Sequence, residues 1–145
     1  MFTSTFLFPD VNVWLALAHE IHPQHRATVA WGESLSSDAV LFFCRFTQLG
    51  LLRLLTNQSA MGVDVLTQTK AWAVYDVFLG TGTTRWMEEP RGIDAVFRQH
   101  TNRNEVSTKQ WADGYLAAFS IAAGIQLVTF DRALAGKVKG AVLLS

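Results

Sequence analysis

The sequence predicts an α/β protein: a three-layer sandwich of helix, mostly parallel sheet and helix. Short apolar runs alternate with stretches of helical periodicity along the whole chain. The apolar runs lack strict in–out alternation, the pattern of strands covered on both faces. Two of them lead to an aspartate, Asp10 after FLFP and Asp131 after LVTF. In an open parallel sheet the carboxyl edge of the strands is where ligands gather.

Residues 5–8 read as the first buried strand, ended by Pro9. Val11, Trp14, Leu15 and Ala18 then share one helical face to about Glu20, with Asp10 as N-cap. After His22-Pro23 a second helix is expected over 25–35 on the stripe Ala27, Ala30, Trp31, and a strand over 39–43. Thr47 opens a helix to Leu55 that buries its leucines, and 57–62 is a turn region. Thr67 caps a helix to Leu79, which Gly80-Thr81-Gly82 stops. Residues 83–87 are β-compatible, Pro90 is a break, and 93–100 is helical. A long helix over 108–123 closes on Gly124. The strand 126–129, a short helix and a strand over 141–144 complete the pattern. Nothing repeats and no linker interrupts, so residues 1–145 read as one domain.

Half of the residues are apolar and 17% are charged, which excludes a disordered chain. The formal net charge of zero weighs against a nonspecific nucleic-acid coat; a polyanion would need a local patch or bound metal. Cys44, the only cysteine, sits in VLFFC as a buried thiol, and no intramolecular disulfide is possible. MFTSTFLFPD lacks the basic start and long apolar core of a signal peptide, and no 18-residue apolar run offers a membrane span. The expectation is a soluble cytoplasmic protein.

Asp10, Asp113 and Asp131 are the residues that suggest chemistry. Each stands where an apolar segment meets a strand end or a helix, and together they suit a hard divalent cation acting on phosphate esters. Taken singly, each reads more simply as an N-cap or first-turn acid; the set in this order favours metal chemistry. Asn12, rather than a second aspartate, departs from the haloacid-dehalogenase pattern of phosphatases. The glycine-rich phosphate loop and the dinucleotide fingerprint are absent too.

The order of segments DVNVWLAL (10–17), HPQHRATVAW (22–31), CRFTQLGLLRLLTN (44–57) and WADGYLAAFSIAAGIQLVTFD (111–131) resembles a PIN domain, specifically the VapC family of toxin ribonucleases. The resemblance spans nearly the whole chain. It implies an endoribonuclease dependent on magnesium, or manganese, with one or two ions held by Asp10, Asp113 and Asp131. It also implies RNA as substrate, a small cognate antitoxin as partner, and a homodimer. The family commonly has another acid at the start of the helix after the second strand, and Gln48 stands there. Glutamine offers a carbonyl oxygen but no charge. The alternative is therefore a weakened or inactive PIN-like module that binds RNA or an antitoxin.

Around the acids, Asn12 and Thr129 are candidate supports for the carboxylates, and Thr47 accompanies Gln48. Arg45, Arg53, Arg132 and Lys137, with Lys139 behind them, are candidate contacts for RNA backbone. His19, His22 and His25 cross a turn with no cysteine or paired acid beside them, which suits structural roles better than zinc. His100 carries no pattern. The five tryptophans read mainly as packing residues, Trp14 and Trp31 above all.

Overall fold

The computed structural model describes residues 5–145; residues 1–4, the start of the segment read for a leader, lie outside it. Five strands, β1 (Phe6–Pro9), β2 (Val40–Phe43), β3 (Thr84–Trp86), β4 (Gln126–Thr129) and β5 (Val142–Leu143), form one sheet in the order β3-β2-β1-β4-β5. Every pairing among them is parallel. The chain builds outward from β1 to β3, then returns to the other side of β1 for β4. The crevice between the ends of β1 and β4 is thus a topological switch point, where parallel sheets bind ligands.

Helices α1 (Val11–Ala18), α2 (His25–Glu33), α3 (Arg45–Leu55), α4 (Gln58–Met61) and α5 (Gln68–Leu79) follow in order, with a 3₁₀ turn at Gly62–Asp64. Then come α6 (Ile93–Thr101), α7 (Lys109–Ala123) and α8 (Arg132–Ala135). Side chains of β1 alternate between the two layers. Phe8 packs with α7, its ring stacked on Phe119 at 4.7 Å, while Leu7 packs with Val13 and Val128 on the opposite face. Trp14, Phe43, Leu51, Leu55 and Tyr75 join α1, α3 and α5 over β2. Both faces are covered, which is why the strands read as unbroken apolar runs. No helix among the described residues is long and apolar enough to cross a membrane.

The element order matches the sequence reading, with two local differences. The third helix starts at Arg45, two residues before Thr47, because Cys44 occupies the N-cap position and Thr47 is its N3 partner. The Cys44 N–H donates to Thr47 Oγ1 at 3.0 Å, so Thr47 closes a capping box rather than capping the helix itself. The expected turn at 57–62 holds α4, because Asn57 accepts the Ala60 N–H and nucleates one helical turn.

Helices α6 and α7 meet through Gly114. A Cβ there would run into Thr101 Cγ2, whose own Oγ1 is tied to the Phe97 carbonyl at 2.7 Å. Gly114→Ala is therefore expected to destabilise by roughly 1–2 kcal/mol, the overpacking cost outweighing alanine's better helix propensity. A urea titration showing equal or greater stability would refute this close approach.

Candidate active site

Asp10 ends β1 and begins α1. Its backbone N–H donates to Val128 O at 2.8 Å, continuing the ladder to β4, and its Oδ1 accepts the Val11 N–H at 2.6 Å as N-cap. Asp131 repeats this arrangement after β4, its Oδ1 accepting the Leu134 N–H at 3.1 Å to cap α8. Thr129 joins the two acids. Its Oγ1 donates to Asp10 Oδ2 and accepts the Asp131 N–H, both at 3.0 Å. The residue is fully buried, so it holds the Asp10 carboxylate and the Asp131 backbone in place.

Asp113 lies one turn into α7, past the positions where a carboxylate caps free N–H groups, and is only 7% exposed. Helix capping therefore does not account for it. Instead it faces Asp10 and Asp131 across an open groove of about 390 Å³, which Asn12, Phe46 and Phe130 also line. Burial pushes the Asp10 carboxyl above the usual carboxylate range, against the hydrogen bonds from Thr129 and Val11; the nearby charges of Asp113 and Asp131 push it further up. Asp131 moves the other way, held down chiefly by Lys109.

Lys109 is the residue that the sequence pattern did not single out. Its Nζ donates to Asp113 Oδ2 at 2.9 Å and to Asp131 Oδ2 at 2.7 Å, and the two carboxylates raise its own pKa. The available signal was its i,i+4 spacing from Asp113; the second partner lies too far along the chain for spacing to reveal. Asp10, Asp113 and Asp131 are the residues that could hold a hard cation. As arranged here, no group of three or more His, Cys, Asp or Glu among the described residues is close enough to hold a metal ion. An ammonium instead sits on two of these three acids.

The other candidates are dispersed. Asn12 lines the groove, but no hydrogen bond ties it to a carboxylate. Gln48 is buried away from the groove, its Oε1 accepting from Arg45 Nη1 at 2.6 Å and its side chain bonding Tyr75. The exposed Arg45 places its guanidinium 4.7 Å from the centre of the Trp86 ring, a cation–π contact. Arg53 borders a separate depression between α3 and α5, beside Leu52 and Trp72. Arg132 is exposed as the first residue of α8, immediately after Asp131, but does not line the groove. Lys137 and Lys139 line a hollow beside Gly124 and Gln126, at the amino end of β4 and so at the opposite edge of the sheet from the acids.

The histidines have local duties. His19 Nε2 lies 3.0 Å from Asp64 Oδ2, His25 Nδ1 bonds the Ala16 carbonyl at 2.7 Å, and His22 Nδ1 accepts the Gln24 N–H at 3.1 Å. Burial, then the neighbouring His19 and His25, lower the His22 pKa. The Cys44 thiol is buried and its pKa is raised, which makes it a poor nucleophile.

Comparison with known proteins agrees with this architecture. The PIN domain family profile matches residues 7–139. The chain is 43% identical over 131 residues to a Mycobacterium tuberculosis protein named ribonuclease VapC41, covering 88% of this chain and 90% of that one. Ribonuclease VapC39 of the same organism is 32% identical over 130 residues, covering 87% and 88%. Among solved structures, Mycobacterium tuberculosis VapC20, described as a sarcin–ricin loop cleaving toxin, superposes with a TM-score of 0.62 at 18% identity, over 90% of this chain and 93% of its own. VapBC2 from Rickettsia felis, bound to a promoter DNA fragment, gives 0.62 at 9% identity, over 95% and 96%. A profile match over most of the chain, relatives aligned nearly end to end and the same fold together place this chain in the PIN domain family, homologous to the VapC toxins of type II toxin–antitoxin systems.

Proposed function

We propose that the protein is a metal-dependent endoribonuclease toxin, working on RNA phosphodiester bonds and restrained by a small antitoxin. The observation that carries this reading is the convergence of Asp10, Asp113 and Asp131, from a strand end, a helix and a second strand end, on one groove at the switch point. The donor set fits magnesium or manganese: the ligands are hard carboxylate oxygens, and two of them already attract a cation. When bound, such an ion polarises a phosphoryl oxygen and activates water for hydrolysis. The protein's part is to hold the carboxylates still. Thr129 fixes Asp10 and Asp131, and the packed wall of α7 fixes Asp113. Exposed Arg132, next in sequence to Asp131, is our candidate contact for an RNA phosphate.

Homology with the toxins of toxin–antitoxin pairs supports the antitoxin partner; the homodimer rests on the family resemblance alone. A second reading, a binding module of reduced activity, is favoured by Gln48. In place of a fourth acid the chain has a neutral side chain turned toward Arg45 and Tyr75.

The test is cleavage of mixed cellular RNA by purified protein with magnesium, manganese or chelator, beside Asp113→Asn and Asp131→Asn. Cleavage that needs the metal and falls by roughly a hundredfold in either variant is expected. Folded wild-type protein that neither binds manganese nor cleaves RNA would favour the binding module.

A further inference from the structure

The acidic groove carries a positive charge of its own. Lys109 is the first residue of α7, the positive end of that helix's dipole, where a cation is disfavoured. Helix stability therefore does not explain its presence. The two carboxylates do: Nζ stands 2.9 Å from Asp113 Oδ2 and 2.7 Å from Asp131 Oδ2, bridging separate elements. The partners differ in freedom. The lysine side chain is 62% exposed, whereas those of Asp113 and Asp131 are 10% and 32% exposed. The acids are the fixed side of the bridge, and the ammonium is the side that can leave on its flexible stem.

Resting on the reading of the groove as a divalent-cation site for RNA cleavage, we propose that Lys109 has two alternating partners. Without a metal ion its ammonium neutralises Asp113 and Asp131. With one bound, it gives up those oxygens and contacts the RNA phosphate backbone at the groove's mouth. A doubly charged hard ion competes better than an ammonium for two carboxylate oxygens. The displaced ammonium stays tethered beside the groove, next to the polyanion that must enter it. Lys109 is thus a competitor for the metal site and a ligand for substrate, and removing it moves the two affinities in opposite directions.

The experiment is a manganese titration followed by electron paramagnetic resonance on wild type, Lys109→Met and Lys109→Arg, with circular dichroism to verify folding. Binding of a fluorescent unstructured oligoribonucleotide, with calcium as the ion, is measured on the same proteins. Lys109→Met should bind manganese about three- to tenfold more tightly, the fold-change expected from losing two weak ion pairs. It should bind the oligoribonucleotide more weakly, and Lys109→Arg should stay with wild type in both assays. Manganese affinity unchanged in Lys109→Met, or RNA affinity unchanged, overturns the proposal while leaving the nuclease reading intact. Absence of manganese binding in both wild type and Lys109→Met overturns the two together.

Discussion

Asp10→Asn is expected to lose metal-dependent RNA cleavage by roughly a hundredfold or more while remaining at least as stable as wild type at neutral pH. The substitution separates two functions of the same side chain. As the N-cap of α1, asparagine serves as well as aspartate. As a ligand, it removes a charge from the groove. The stability expectation comes from the raised pKa of Asp10, caused first by burial. A carboxyl whose folded pKa lies above its unfolded value is held more tightly as the acid in the folded chain. Its ionisation therefore costs stability once the pH rises above the unfolded pKa, and that cost is relieved as the pH falls through the folded one. Asparagine removes the cost. Asp131, with a lowered pKa, has the opposite sign: its contribution is present above the unfolded value and is lost as the pH falls through the folded one. Paired RNA-cleavage assays and urea titrations at pH 7 decide the matter. Clear destabilisation in Asp10→Asn would show that the carboxylate serves the fold rather than the chemistry.

Trp14→Ala should remove about 3–5 kcal/mol, the usual cost of deleting a large aromatic from a packed core. Trp14 is fully buried on α1, stacked on Phe43 at 3.9 Å with Phe78 edge-on at 5.0 Å, and so ties α1 to β2 and α5. Its indole Nε1 is buried with no hydrogen-bond partner. Leaving such a group unpaired costs about 1–3 kcal/mol. Trp14→Phe sheds that penalty while keeping most of the ring, so its loss should be much smaller than that of the alanine variant. Denaturant midpoints for the pair test this directly. Equal losses would mean that the indole N–H has a role the packing does not reveal.

The strands and both strand-end acids were legible because local patterns encode them: an apolar run, an aspartate, then helical spacing. Asp10 and Asp131 look alike in sequence because each ends a strand and caps a helix. Asp113 was singled out with them for its apolar setting, KQWADGYLAAF, although on its own pattern it is one more acid near a helix start. What escaped were the pairings between segments distant along the chain. Lys109 reads as a solvated helix residue until Asp131 is brought beside it. His19 and Asp64 lie 45 positions apart, and neither announces the other. Gln48 was read at the groove from the family resemblance, and Arg45 because it flanks Gln48 at the start of that helix. In the fold they contact Tyr75 and Trp86, both from later elements, and neither lines the groove.

The parallel pairing of β1 with β4 also sets a clock. Asp10 meets the hydroxyl that orients it only across 119 residues of chain. A ribosome adding about 5–20 residues per second takes roughly 6–24 s to make that stretch. During that interval β1, β2 and β3 can already align, but Asp10 has neither Thr129 beneath it nor Asp131 beside it. Until β4 pairs with β1, the emerging polypeptide therefore lacks two of the groups that complete the groove.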